Sequence, residues 1–333
     1  MPTEIGSRKV GSVGYGLLGL TPRFNMPSEE QSFAAMRAAL STDCSLWDGG
    51  EFYGPSPDIN SLTLLRQYFT KYPEDADKVV LNIKGALRPG LIPDGSPKFV
   101  RQSVERCVEM LGGKGKIDMF ECGRRDPNTP LGTTLATLEE LVNEGKIGGV
   151  ALSEVNADTI RAAAKITKIV AVEVEVSLFC TDPLSNGIAK ACGELDIPII
   201  AYCPIGRGML SGQIKSFDDI PEKDYRRMLP RFQPPNFENN MKLVKKVETL
   251  AQKKKCTAAQ LALAWVMSLS KKEGMPTFIP IPGSTTVDRV IENGRASDVE
   301  LNEQDLAEID QMLGTCEVTG DRYHPAGMRL ING

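Results

Sequence analysis

Three residues early in the chain have the types that carry acid–base chemistry, and each stands near the end of an apolar run. Asp48 and Tyr53 lie in the segment WDGGEFYG, residues 47–54, and Lys84 follows the run VVLNI at 79–83. A phenol with an ordinary pKa near 10 is a poor proton donor at neutral pH. A lysine ammonium alongside lowers that value, and a carboxylate keeps the lysine charged and in place. Any one of the three alone reads as structural, with Lys84 and Asp48 as an ion pair and Tyr53 as a ring that packs a loop. Together, at neighbouring strand ends, they form an acid–base set.

Other candidate constellations are weaker. Gly14–Tyr15–Gly16–Leu17–Leu18–Gly19 matches the dinucleotide fingerprint G-x-G-x-x-G, which has meaning only where a strand leads directly into a helix. Here Pro22 and Pro27 intervene and the next helical pattern starts near Ser28, so small residues in a first barrel strand are expected instead. Glu121 could act as the acid of a carboxylate-pair glycosidase, but Tyr202–Cys203–Pro204 stands where the second carboxylate is needed. The single histidine, His324, has no partner at ligand spacing, and the eight cysteines are scattered without C-x-x-C. No metal site or disulfide framework is expected, and a reducing compartment fits.

The elements that would position the acid–base set alternate with regularity. Strands are expected at Val79–Lys84, Ile117–Glu121, Ile147–Ser153, Ala171–Val176, Pro198–Tyr202 and Thr277–Ile281, with two more near Val13–Leu18 and Ser45–Asp48. Helical patterns fall between them: Ser28–Ser41, Asp58–Tyr72, Pro97–Leu111, Leu131–Glu144, Ala157–Thr167, Leu184–Leu195, Met241–Lys254 and Val287–Ala296. Ala258–Ser268 and Glu303–Leu313 lie outside the simple alternation as extra helices. Alternating strands and helices mean βαβ units and a parallel sheet. Eight such units fit one α/β domain over residues 1–333, a closed (β/α)₈ TIM barrel, whose catalytic groups stand at the C-terminal strand ends. The irregular segment Pro204–Glu238, after strand 7, is expected to be a lid on that face.

Composition agrees with a globular enzyme. The 333 residues are 41% hydrophobic and 25% charged, with a net charge of −4. That balance offers no basic footprint for nucleic acid, and Lys242–Lys255 reads as the solvated face of a helix. No apolar run approaches the roughly 18–20 residues of a membrane span, and MPTEIGSRKV lacks the apolar stretch of a secretory leader. The expected location is the cytoplasm, or the nucleus as well.

Beyond these readings, the chain resembles the aldo-keto reductases over nearly its whole length. WDGGEFYG looks like that family's strand-2 motif, with an Asp five residues before the catalytic Tyr, and Lys84 falls where its catalytic Lys ends strand 3. Residues 117–154 (IDMFECGRRDPNTPLGTTLATLEELVNEGKIGGVALSE) are similar to its strand 4, helix 4 and strand 5. AVEVEVSLF, IIAYCPIGRGML and PIPGSTTVDRVIEN are similar to its strand-6, strand-7 and strand-8 cofactor segments. The resemblance implies a (β/α)₈ barrel that uses NADPH/NADP+ as cofactor and a small aldehyde as substrate. Tyr53 would be the general acid, tuned by Lys84 with support from Asp48. Ser153 and Glu173 would hold the nicotinamide carboxamide, and Tyr202 would stack on the ring. Pro204, Gly206, Gly208 and Leu210 would wrap the pyrophosphate. Ser284 and Arg289 would bind the 2′-phosphate, and Glu292 and Asn293 the adenine. A guanidinium fork suits the phosphate because it binds two oxygens at once.

Three departures from the family narrow the match. The usual strand-4 histidine is replaced by Gly123, the usual Gln is Glu173, and Gly283 stands where many NADPH-preferring members have Lys. The missing histidine, with GEFYG, LIPDGSPKFV and FECGRRDP, looks like the fungal pyridoxal reductases of vitamin B6 metabolism. Gly123, with Phe52, would then form a substrate pocket with room for a heteroaromatic ring. The alternatives are a general aldehyde or aryl-alcohol reductase, and an NADPH-sensing barrel resembling the potassium-channel β subunits.

Overall fold

In the computed structural model, which describes residues 3–333 apart from Arg23, eight strands pair in parallel and in chain order. They are β1 (Tyr15–Gly16), β2 (Leu46–Gly50), β3 (Val80–Gly85), β4 (Met119–Cys122), β5 (Val150–Ser153), β6 (Ile169–Glu175), β7 (Ile199–Tyr202) and β8 (Phe278–Pro280). The sheet closes on itself where Gly16 bridges Gly283 in parallel and Gly14 N donates to Pro280 O at 2.9 Å. A Cβ at Gly14 would lie 2.7 Å from Leu46 O and 2.8 Å from Ile281 Cγ2. The first-strand glycines therefore serve the barrel seam, which accounts for the fingerprint-like motif without a phosphate turn.

The period of two along a strand sorts the interior into layers. Leu46, Val80, Met119, Ala151, Ala171, Ile200, Ile279 and Ile281 form a dry lower cluster. An N-terminal hairpin, Thr3–Ile5 against Arg8–Val10, seals it from below with Ile5 and Val10. Two residues further along the same strands come Asp48, Asn82, Glu121, Ser153, Glu173 and Tyr202. The alternation that buries the lower cluster thus delivers a polar layer to the C-terminal end. The residues between, among them Trp47, Leu81, Phe120, Leu152 and Val172, face outward into the main core under the helices.

The longer helices are α1 (Glu29–Ser41), α2 (Ser61–Lys71), α3 (Pro97–Leu111), α4 (Leu131–Asn143), α5 (Ala157–Ala164), α6 (Ile188–Glu194), α7 (Asn236–Lys253), α8 (Ala258–Ser268), α9 (Val287–Gly294) and α10 (Glu303–Thr315). Caps set several starts: Ser28 Oγ accepts from Gln31 N, and Asn60 with Thr63 and Thr257 with Gln260 form capping boxes. Two expectations need correction. The pattern at Leu184–Leu195 is broken by Gly187 in the left-handed region (φ 95°), leaving a short turn, Asp182–Ser185, before α6. The roles of the last helices are also exchanged. α8 is buried on almost every side and packs on β8, so it occupies the regular barrel position, and α7 is the added helix outside it. Glu303–Leu313 is an extra helix as expected. The loop after β7 is a series of 3₁₀ turns that buries Leu210, Ile214, Ile220, Leu229 and Phe232. No helix among the described residues is long and apolar enough to cross a membrane.

Candidate active site

Lys84 stands at the centre of the polar layer with its ammonium enclosed by three carboxylates. Nζ lies 2.5 Å from Asp48 Oδ1, 2.6 Å from Glu173 Oε2 and 3.0 Å from Glu121 Oε1. Asn82 Nδ2 donates to Asp48 and Glu173, both at 3.1 Å. All five side chains are buried. The acidic oxygens converge within 4.8 Å, a spacing that could hold a metal ion, but the point they surround is taken by the ammonium.

Charge in this dry layer decides where protons sit. Burial works against the charge on Lys84; Asp48, Glu121 and Glu173 overcome it and hold the ammonium well above its ordinary range. Burial pushes Glu121 up to about 7, with Lys84 opposing and Asp48 adding to the rise. Burial also drives Glu173 well above the usual carboxylate range, helped by Asp48 and opposed by Lys84. Glu121 and Glu173 together therefore keep a proton at neutral pH.

Tyr53 is set over this layer by its backbone. Its N donates to Gly50 O at 3.1 Å, and its carbonyl accepts from Ser61 N at 3.0 Å and Thr21 Oγ1 at 2.7 Å. The ring lies on Gly50, where any Cβ would come within 3.0 Å of it, and Lys84 Nζ is 5.7 Å from the ring centroid. The net effect on the phenol differs from the sequence expectation. Lys84 does pull its pKa down, but burial is the larger effect and Asp48, Glu173 and Glu121 add to it, so the phenol is held well above its ordinary value. The lysine's charge is largely spent on its three carboxylates.

The pocket residues lie together. Phe52 meets Tyr53 edge-on, with ring centroids 5.1 Å apart. The space beside Gly123 is filled rather than open: a Cβ there would stand 2.9 Å from Leu87 Cδ1 and 3.1 Å from the Phe52 ring. Ring space above Gly123 thus requires movement of Phe52 or of the hairpin Leu87–Pro93.

Around the acid–base set lie the residues expected to bind the cofactor. Ser153 ends β5, and Arg124 reaches it at 3.4 Å. Tyr202 OH is engaged with Glu154 Oε1 and with Tyr323 OH, each at 2.8 Å. Pro204, Gly206 and Leu210 are buried at the loop's start, where Gly206, Arg207 and Gly208 all have positive φ. This left-handed turn sends Arg207 inward to Glu175 Oε2 at 2.7 Å. Ser284 Oγ is buried without a partner ahead of α9, and Arg289 on that helix is half-buried with no ion pair among the described residues. An orphaned hydroxyl, free helix N–H groups and an uncommitted guanidinium suit a phosphate. Glu292 is already committed, its Oε1 accepting from Thr257 Oγ1 at 2.6 Å, and Asn293 is buried beside it.

Sequence reasoning missed Asn82, the role of Glu121 as a third carboxylate on Lys84, and the outer layer of Glu154, Glu175, Arg207 and Arg322. The period of two from Val80 and Met119 would have pointed Asn82 and Glu121 inward. Nothing in the chain's spacing signals that Arg322 meets Glu154 at 3.1 Å.

Residues 12–313 match the model of the Aldo/keto reductase family. The chain is 42% identical over 323 residues to "Probable pyridoxal reductase 2" of Schizosaccharomyces pombe, covering 95% of each chain. It is 40% identical over 336 residues to a Saccharomyces cerevisiae protein also named as a pyridoxal reductase, covering 94% of this chain and 96% of that one. In three dimensions it is similar to the glycerol dehydrogenase AKR11B4 of Gluconobacter oxydans, with a TM-score of 0.82 at 20% identity over 97% of this chain and 98% of that one.

Proposed function

The chain belongs to the aldo/keto reductase family, and from that premise we propose that it reduces the aldehyde of pyridoxal to the alcohol with NADPH. The reading takes residues 1–333 as one catalytic domain in the cytoplasm, where the eight free cysteines remain thiols. The observation that carries it is the buried Asp48–Lys84 pair beneath Tyr53 at the barrel mouth. NADPH held along Ser153, Tyr202, the Pro204–Leu210 turn and Ser284–Arg289 would supply a hydride to the carbonyl carbon. Tyr53, kept protonated by burial and the carboxylates, gives its proton to the carbonyl oxygen. Lys84 stabilises the phenolate left behind, and Asp48, Glu121 and Glu173 fix the lysine in place. The names of two relatives add pyridoxal as the first substrate to try.

The test is the loss of NADPH absorbance with pyridoxal and with a panel of aryl aldehydes, repeated with NADH. Turnover of pyridoxal, faster with NADPH, is expected. Turnover restricted to other aldehydes would move the substrate to a general aryl aldehyde. Tight NADPH binding with no turnover of any aldehyde would leave a cofactor-sensing barrel.

A further inference from the structure

Arg124 is a charged group at the barrel mouth that the acid–base set does not use. It follows Gly123, and its guanidinium doubles back over the strand end. Nη1 donates to Gly123 O at 2.5 Å and reaches Ser153 Oγ at 3.4 Å on the neighbouring strand. The arginines behind it are all paired: Arg207 and Arg231 meet Glu175, and Arg322 meets both Glu154 and Glu175. Among the described residues, no carboxylate lies within ion-pair distance of Arg124, and its Nη2 and Nε have no hydrogen-bond acceptor. A guanidinium carries five donors, and only Nη1 of this half-buried one meets a protein acceptor, which leaves the remaining donors open to a ligand. It shares the mouth with the proton donor: a Cβ on Gly123, whose carbonyl it holds, would stand 3.1 Å from the Phe52 ring, and that ring meets Tyr53 edge-on.

We propose that Arg124 sets substrate specificity by binding an ionised oxygen carried on the same molecule as the carbonyl that Tyr53 protonates. The inference rests on the reading of Tyr53 as the proton donor and deepens it by naming the substrate class: aldehydes with a second, acidic oxygen. The ring phenolate of pyridoxal has that chemistry, as does a carboxylate on an aryl aldehyde, and an unsubstituted aryl aldehyde lacks it. The arginine thereby supplies a fixed donor where strand 4 offers no side chain at 123.

The experiment compares kcat/KM for 2- and 4-carboxybenzaldehyde with that for benzaldehyde in the parent, Arg124→Met and Arg124→Lys, with NADPH affinity measured in each by fluorescence titration. Arg124→Met should lower the preference for the carboxylated aldehydes by about ten- to a hundredfold, mostly through KM, and Arg124→Lys should recover part of it. Salicylate binding, followed by competition or calorimetry, should be present in the parent and lost in Arg124→Met. An unchanged preference with salicylate binding retained would overturn the proposal, as would a loss shared equally by all three aldehydes and matched by weaker NADPH binding. If the parent reduces none of the aldehydes, the reductase reading fails, and the salicylate comparison still decides whether Arg124 is an anion site.

Discussion

As the proposed proton donor, Tyr53 would have to hold a proton firmly until a carbonyl arrives and then release it, and its surroundings divide those tasks. Burial and three carboxylates favour the neutral phenol; the ammonium of Lys84 favours the anion that proton transfer creates. Tyr53→Phe should keep NADPH affinity, read by fluorescence titration, and lose about 10²–10⁴-fold in turnover, the usual worth of a general acid. Full activity in that variant would place the donor elsewhere. Glu121 makes a second residue-scale prediction. Its folded pKa, near 7, lies above the ordinary carboxylate value of 4.5, so between those limits the native protein binds the proton that the unfolded chain has released. Stability from this group is therefore lost as pH rises through that window, at up to about 1.4 kcal/mol per pH unit. Glu121→Gln should flatten that fall relative to the parent, as measured by denaturant midpoints from acid to neutral pH. Parallel profiles for the two proteins would remove Glu121 from the proton inventory.

At the scale of elements, the proposed NADPH site assigns cofactor choice to the short helix α9 and the turn before it. Gly283 offers no cation there, so in that proposal Arg289 and the unpartnered Ser284 hydroxyl are the groups that would recognise a 2′-phosphate. Arg289→Ala should reduce the preference for NADPH over NADH by about 1.5–3 kcal/mol and hardly alter NADH binding, as titration of both cofactors would reveal. Equal affinities in the parent would dismiss the assignment. Elements with strong periodicity were also the ones legible in the sequence. α3 begins and ends where its pattern does, at Pro97 and Leu111, and each barrel strand falls within a few residues of its apolar run. The N-terminal hairpin escaped notice because its strands are three residues each, too short for alternation to register. α8 was misplaced because its apolar residues run around the whole helix, a pattern that fits a core position without naming it. At the site, residue types gave Asp48, Tyr53 and Lys84. The closure of the Gly123 space by Phe52 and Leu87 depends on loop paths that no local pattern encodes.

For the whole molecule, the stretch after α10 returns to the strand ends and ties distant parts of the chain together. Arg322 Nη1 and Nη2 meet the two oxygens of Glu154 at 3.2 and 3.1 Å, and Nη1 lies 3.5 Å from Glu175. Tyr323 OH meets Tyr202 OH at 2.8 Å, and Gly333 N donates to Glu154 O at 3.1 Å. Glu154 is otherwise poorly placed, being buried and in the left-handed region at φ 50°. Burial alone would raise its pKa, but Arg322 and then Arg124 outweigh that and hold it below the usual carboxylate value. Removing one partner of a buried pair leaves the other uncompensated, so Arg322→Ala should cost about 3–5 kcal/mol at neutral pH. Arg207 and Arg231 still cover Glu175, which confines most of the loss to Glu154. Because the folded pKa of Glu154 is depressed, its contribution is complete above the ordinary carboxylate pKa and disappears as pH falls through the folded value. The gap between parent and variant should therefore be widest near pH 7 and narrow in acid. Urea midpoints at both ends of that range measure it. A variant that loses less than about 1 kcal/mol at pH 7, or the same amount at both, would mean that this stretch lies on the barrel without holding it.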